Sequence, residues 1–298
     1  MITGAGGFVG RAITAHLQEA GFWVEACDLQ NAPRAINVLE KQALLEITLE
    51  TRPHTFIHAA ALTSGEDLQV IKVNVQGTLN ALQAARRAGV RHFVLFSSCA
   101  VYAPSSEPTD ESGPTTTTHA YALSKLLSEQ AVELGKASMT AWLLRIGAVY
   151  GPAEQPSATR SRTSVVHQIA ESIRTGQRLR LQCAPHDVYN WLHTQDLARL
   201  LSLIIEQPAD GKAHLYNVAG PSLLVADLVS TFQALKPEID LGKLIEYNPH
   251  PPPRHGAIDS AKAKSELGFS PAVQLEDGLL DYLARPPLGR GPGVRETR

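Results

Sequence analysis

Cysteine is scarce in this 298-residue chain. Cys27, Cys99 and Cys183 stand far apart and without metal-type spacing, which argues against a disulfide frame and for free thiols in a reducing compartment, here expected to be the cytoplasm. Long apolar runs are missing as well: stretches such as Leu200 to Ile205 fall far short of the roughly 20 residues that cross a bilayer. The N-terminus has no charged segment followed by an apolar signal core. Membrane insertion and secretion are therefore not expected. Charge of one sign is absent too. There are 27 basic and 29 acidic residues, and no basic stripe follows any expected helix, so neither nucleic acid nor an anionic membrane is the expected partner. A small-molecule substrate is. The 11 histidines give no metal pattern, because His186, His193, His250 and His255 form no helical pair four apart and have no cysteine neighbours; they read as surface or pocket polar groups.

What is present is an alternation of buried β-type runs with helical patterns. Phe22–Cys27, Thr55–Ala61, His92–Ser97 and Ala141–Val149 read as strands, and the helical stretches between them imply a parallel sheet with crossover helices. The expected fold class is α/β: a Rossmann-type, doubly wound parallel sheet with a smaller C-terminal α/β substrate domain. Residues 1–150 form the dinucleotide-binding domain, with 188–218 returning to it, and 151–284 are mainly substrate-binding. Met1-Ile2-Thr3 supplies only the tail of a first strand, where a buried strand needs about five residues, so the chain is expected to start inside that strand. Helices are expected near Val165–Thr175, Thr194–Glu206 and Ser222–Leu235. Pro249-His250-Pro251-Pro252-Pro253 is a stiff connector, and 285–298 is expected to be a disordered tail.

Thr3-Gly4-Ala5-Gly6-Gly7-Phe8-Val9-Gly10 sets glycines at three-residue intervals between a strand end and the helical pattern Arg11–Ala20. Gly4 permits the tight turn, Gly7 leaves room for a pyrophosphate and Gly10 lets the helix pack on the sheet, while free amides at the helix start meet the phosphates. Asp28 ends the next strand, where a carboxylate accepts hydrogen bonds from both adenosine ribose hydroxyls and repels the extra phosphate of NADP. NAD is thus the expected cofactor. Arg34 nearby keeps NADP as the second choice.

Tyr121 and Lys125 are four residues apart at the start of a helical pattern, which puts phenol and ammonium on one helix face. A tyrosine with an ordinary pKa of about 10 is a poor base at neutral pH, and an adjacent cation stabilises its phenolate. Tyr121 can then take a proton from a substrate hydroxyl or return one. Ser98, at the end of the strand His92–Ser97, is placed to hold the substrate oxygen. Cys99 beside it reads as an ordinary strand-end cysteine, Tyr189 and Trp191 as core or pocket aromatics, and Thr115 to Thr118 as a loop with capping threonines.

With these residues in view, the chain resembles the extended short-chain dehydrogenase/reductase family, the group of NAD-dependent sugar epimerases and dehydratases. The glycine turn is similar to the family's Thr-Gly-x-x-Gly-x-x-Gly, His58-Ala59-Ala60-Ala61 to its cofactor wall, and Asn74-Val75-Gln76-Gly77-Thr78 to its Asn-x-x-Gly-Thr motif. Ser97-Ser98-Cys99-Ala100-Val101-Tyr102, Tyr121 to Lys125, and Leu144-Arg145 through Val149-Tyr150-Gly151-Pro152 resemble its serine strand, its Tyr-x-x-x-Lys pair and its entry to the substrate domain. Leu267-Gly268-Phe269-Ser270-Pro271 and Leu275 to Leu279 look like its closing segment. The resemblance implies Ser98, Tyr121 and Lys125 as the catalytic set and Asn74 as support for the active-site helix. It implies Asn37 and Val38 at the adenine. The cofactor-contacting residues become Gly4, Gly7, Phe8, Val9, Gly10, Asp28, Asn37, Val38, Ala59, Ala60, Ala61, Asn74, Ser97, Tyr121 and Lys125. It also implies a homodimer paired through the Asn74–Ala88 and Tyr121–Leu134 helices.

Three departures bear on substrate choice. Ala148 stands where sugar-nucleotide members carry Asn, and Tyr189 stands where an Arg precedes the Val-x-Asp segment, so a substrate diphosphate loses an amide and a guanidinium unless Arg160, Arg162, Arg178 or Arg180 supplies one. Cys99 and Ala100 fall where dehydratases place an Asp-Glu pair, and neither can act as acid or base for water elimination. The expected function is an NAD-dependent epimerase or oxidoreductase acting on a hydroxyl of a sugar or sugar-like substrate, nucleotide-linked or not. The alternatives are a reductase of a non-sugar carbonyl and a non-catalytic NAD-sensing protein, the latter opposed by the presence of the Tyr-Lys pair.

Overall fold

The computed structural model describes residues 1–116, 118–152, 154–157, 163–251 and 256–284. Seven strands form one parallel sheet: β1 (Ile2–Thr3), β2 (Ala26–Asp28), β3 (Arg34–Ala35), β4 (Thr55–His58), β5 (His92–Ser98), β6 (Thr140–Ile146) and, after the excursion described below, β10 (Ala213–Val218). Their spatial order is β10-β6-β5-β4-β1-β2-β3. The chain winds outward from β1 in one direction through β2 and β3, then crosses back to β4 and winds the other way. Such a sheet opens a crevice at the carboxyl ends of β1 and β4, where the winding reverses.

Helices cover both faces because the strands are apolar on both sides. On one face, α1 (Phe8–Glu19) packs against α7 (Thr194–Ile205) over Ile2, Ile57, Val94, Phe96 and Leu144. On the other, α2 (Lys41–Thr51), α4 (Gly77–Arg87) and α5 (Ala120–Gly135) cover Phe56, Phe93, Leu95 and Leu143. A short helix α3 (Asp67–Ile71) leads into α4 through one π-helical turn, Lys72–Gln76, of the kind found at functional sites.

The segment between β6 and β10, together with the chain after β10, builds a second layer. β7 (Ala148–Tyr150) pairs with β9 (Val188–His193), which pairs in turn with β11 (Ser222–Leu224), while β8 (Leu179–Leu181) pairs with β12 (Ile245–Tyr247). Helices α6 (Val165–Thr175), α8 (Val225–Leu235), α9 (Leu241–Leu244), α10 (Ala261–Leu267) and α11 (Leu275–Ala284) complete the chain. Tyr150, Ile169, Leu181, Trp191, Phe232 and Leu279 form a separate core under this layer.

Four element boundaries differ from expectation. The strand expected over Phe22–Cys27 is reduced to Ala26–Asp28, because Trp23 is 69% exposed and Phe22 and Val24 fill gaps beside α1 without joining the ladder. The strand expected over Thr55–Ala61 stops at His58, where the chain leaves the ladder to line the crevice. The run Ala141–Val149 is two strands, because Gly147 takes the chain from β6 into the smaller sheet. Ser222–Leu224 is a strand antiparallel to β9, and only Val225 onward is helical. Pro252, Pro253 and 285–298 lie outside the described residues.

Leu201 on α7 is fully buried between α7, α1 and the sheet. Leu201→Ala is expected to cost about 2–5 kcal/mol, read as a lower denaturation midpoint at unchanged slope.

Candidate active site

The crevice is built from the ends of four parallel strands. Gly4 follows β1 with φ +80°, and a Cβ there would lie 2.5 Å from the Ala60 nitrogen, so the turn sits against the Ala59–Ala61 wall that follows β4. A Cβ on Gly10 would lie 2.0 Å from the Gly4 oxygen, which ties the first turn of α1 to the loop beneath it. Gly6 is equally tight, 2.0 Å from the Gln30 oxygen by the same measure, and its amide donates to Asp28 Oδ2 at 2.9 Å. Gly7, the N-cap of α1, is exposed and offers no side-chain cap, and the first turn of the helix holds no acidic residue. A helix start with these features fits a pyrophosphate. Arg34, the residue that kept NADP open, is turned to Glu25 at 3.4 Å and Glu50 at 3.0 Å.

Above the carboxyl end of β5 lies α5. Its N-cap is His119, whose Nδ1 accepts from the Ala122 amide at 3.2 Å, so a histidine and not one of the preceding threonines starts the helix; Thr117 lies outside the described residues. Tyr121 is half-buried and Lys125 is 4% exposed on the same helix face, with Nζ 5.6 Å from the centre of the phenol ring. Lys125 Nζ donates to the Phe96 carbonyl oxygen at 2.7 Å. Burial lowers the lysine pKa to about 8, opposed by the Glu129 carboxylate. His58, buried at the end of β4 and bonded to Thr3 Oγ1 at 2.7 Å, is held neutral by burial and by the Lys125 charge, its pKa lowered to about 3. Ser98, half-buried, uses its Oγ to accept from the Ala100 amide at 3.2 Å, which holds the short 3-10 turn Cys99–Val101.

Asn74 occupies the π-helical turn and is 2% exposed. Its amide accepts from Leu62 N at 2.8 Å and donates to Leu62 O at 3.0 Å and Ser124 Oγ at 2.9 Å, and Ser124 Oγ donates to the Tyr121 carbonyl. One side chain therefore joins the crevice wall after β4 to the backbone of α5.

The Ser97 side chain is not in the crevice. It is 4% exposed and donates to Glu129, which also accepts from Arg145 Nε at 3.1 Å and Nη2 at 2.8 Å. Arg145 Nη1 donates to Tyr102 Oη, and Tyr102 donates to Asn217 Oδ1. Burial works against the Arg145 charge, yet the hydrogen bonds and charge of Glu129 outweigh it and raise the pKa. Glu129 and Asn217 had no motif to announce them; the available signal was polar residues recurring every four positions, Tyr121, Lys125 and Glu129, along a helix that must pack on a sheet.

The other expected residues are dispersed. Asn37 turns its carboxamide to the Leu39 amide, and Val38 is buried against Gly77, where a Cβ would lie 2.8 Å away. Phe8 is buried and Val9 half-buried on α1. His193, expected at the surface or in a pocket, is 6% exposed and caps α7 through the Gln195 amide, while His186 and His250 are exposed. Trp191 is core, stacked on Tyr189 at 4.9 Å. Arg178 is exposed and within 3.8 Å of Glu246, Arg180 is exposed on β8, and Arg160, Arg162 and His255 lie outside the described residues.

A parallel sheet with a glycine turn at its point of reversed winding, and a Tyr-Lys helix above it, defines a Rossmann-type dinucleotide fold. Residues 1–219 match the model of the NAD dependent epimerase/dehydratase family, and the chain belongs to that family. It is 27% identical over 245 residues to a dTDP-glucose 4,6-dehydratase of Streptomyces niveus, covering 76% of this chain and 67% of that one. It is 25% identical over 307 residues to a UDP-glucose 4-epimerase of Mycolicibacterium smegmatis, covering 94% and 95%. Among solved structures, the Thermotoga maritima UDP-glucose 4-epimerase with UDP-glucose superposes with TM-score 0.84 at 24% identity, covering 95% of this chain and 96% of that one. The Thermus thermophilus UDP-glucose 4-epimerase complex with NAD gives 0.77 at 23% identity, covering 95% and 98%. Among the described residues, no helix is long and apolar enough to cross a membrane.

Gly10→Val is expected to weaken NAD binding at least tenfold by titration calorimetry, because the added atoms must displace the Gly4 backbone.

Proposed function

We propose that this chain is an NAD-dependent enzyme that epimerises or oxidises a hydroxyl of a sugar, with a nucleoside-diphosphate sugar as substrate class. The observation that carries the reading is the buried Lys125 ammonium beside the Tyr121 ring at the carboxyl end of β5. Full-length similarity to UDP-glucose 4-epimerases supports the substrate class. When bound, NAD supplies the hydride acceptor and donor. Gly4, Gly7, Gly10 and the start of α1 hold its pyrophosphate, Asp28 the adenosine ribose, and Ala59–Ala61 the wall behind it. Tyr121 takes the proton of the substrate hydroxyl and returns it; the Lys125 charge lowers the cost of the phenolate, and Ser98 donates to the substrate oxygen. Asn74 keeps α5 and the wall in register. With Arg34 engaged by two carboxylates, NAD is preferred over NADP.

A sugar-like substrate without a nucleotide is the second reading, favoured by Ala148 and Tyr189 at positions where an amide and a guanidinium would meet a diphosphate. UDP titration separates the two. The three cysteines are buried thiols outside any disulfide, which supports a reducing compartment, the cytoplasm. Exposed Leu79 on α4 with Leu127 and Leu134 on α5, the last 88% exposed, supports a homodimer through these helices.

With UDP-glucose or UDP-galactose, product without net NADH absorbance is expected for an epimerase, and accumulating NADH for a dehydrogenase. Tyr121→Phe is expected to lower kcat by about 10²–10⁴-fold with NAD affinity retained; undiminished turnover overturns the assignment. Lys125 carries its proton below about pH 8 and loses it above. Its support for the phenolate is therefore lost as pH rises through that value, and kcat is expected to fall on the basic side; a profile rising steadily past it contradicts the role.

A further inference from the structure

Two consecutive residues of β5 receive two consecutive turns of α5. The Phe96 carbonyl takes the Lys125 ammonium, and the Ser97 hydroxyl donates to the Glu129 carboxylate, while the next residue in the strand is Ser98. Phe96, Ser97, Lys125 and Glu129 are all buried. The lower rung is made rigid from below, because both Glu129 oxygens accept from Arg145 on β6. Arg145 and Tyr102 carry that rigidity on to Asn217, whose Nδ2 donates to the Thr109 and Asp259 carbonyls at 2.9 Å each. We propose that Ser97 and Glu129 are positioning residues for catalysis: their hydrogen bond fixes the register of α5 on β5, and so the placement of Tyr121 and Lys125 relative to Ser98. The proposal rests on the catalytic reading of Tyr121 and Lys125.

Apolar contacts set the distance between α5 and the sheet but tolerate sliding, whereas a hydrogen bond to a charged group is directional and stronger than a neutral one. Asn74 and Thr78 hold α5 to α4 and to the wall after β4, and Lys125 reaches β5 on a flexible four-carbon stem; the Ser97–Glu129 bond adds the second direct rung between α5 and β5. The ionisable groups around Lys125 are Tyr121 and Glu129 on its own helix, His58 on β4 and Arg145 on β6, with the uncharged Asn74 reaching the helix through Ser124. Ser97 carries no charge. Replacing it therefore tests position without adding or removing an ionisable group from this set.

The test is an ultraviolet titration of tyrosinate in the purified protein with NAD bound, run on wild type, Tyr121→Phe, Ser97→Val and Ser97→Thr. Val and Thr have the same shape and differ only in the hydroxyl. The lowest tyrosinate step is expected to vanish in Tyr121→Phe, to rise by about one pH unit in Ser97→Val, a tenfold gain in proton affinity, and to return to the wild-type value in Ser97→Thr. In turnover assays the same pair is expected to split kcat, lower in Val and restored in Thr, with KM unchanged. If neither β-branched variant folds by circular dichroism, Ser97→Ala takes the place of Val against wild type, with the same expected rise. A wild-type step in Ser97→Val, or in Ser97→Ala, overturns the positioning role while leaving the catalytic reading intact. A step that survives in Tyr121→Phe overturns the catalytic reading and the positioning role with it.

Discussion

A buried lysine ammonium, with the Phe96 backbone carbonyl at hydrogen-bond distance, is the constraint around which this molecule is arranged. Removing such a charge from water costs several kcal/mol, so the surroundings must return that free energy through geometry. Here the return comes from the Phe96 carbonyl, from the Glu129 carboxylate one turn along the helix and from the face of the Tyr121 ring. The same burial that lowers the lysine pKa toward 8 strengthens its field at the phenol, because low dielectric leaves less screening between them. The lowered lysine pKa and the field at the phenol are two consequences of one placement.

The sheet supplies that placement. Because all seven strands are parallel, their carboxyl ends share one edge, and reversed winding between β1 and β4 leaves that edge open. The glycine turn, Asp28, the alanine wall and Ser98 all follow directly from strand ends along it, so their relative positions are set by ladder hydrogen bonds, not by loop conformation. Asn74 then ties the wall to α5, and the Glu129–Arg145 pair ties α5 to β5 and β6. Tyr102 and Asn217 extend the network to segments 109–111 and 259, so the polar core beneath the crevice reaches the chain that returns from the second layer.

Much of this was legible in the sequence, for identifiable reasons. The placement of a few residues at fixed spacing reads directly: the glycines in the turn after β1, Asp28 at the end of β2, and a tyrosine and lysine four apart on one face of α5. Strand positions in the centre of the sheet also read well, since burial on both faces produces an unbroken apolar run. The misses fall where burial is one-sided or where a single residue redirects the chain. Phe22 and Val24 are apolar because they fill gaps beside α1, and Gly147 passes the chain between sheets inside a run that reads as one strand. The Ser97 side chain turns to Glu129 on α5 although Ser98 follows it directly, because alternation along a strand sends neighbouring side chains to opposite faces, which a linear motif does not display. Glu129 was invisible because its meaning depends on Ser97 and Arg145, brought to it by tertiary packing alone.

The account turns on a nicotinamide ring coming to rest beside the phenol. A crystal structure of the NAD complex measures this most directly. The pyrophosphate is expected on the Gly4–Gly10 turn, an adenosine ribose on Asp28, and the nicotinamide within reach of the Tyr121 hydroxyl, with Lys125 still in place on Phe96. A nicotinamide bound away from α5, with Tyr121 turned out to solvent, would contradict it.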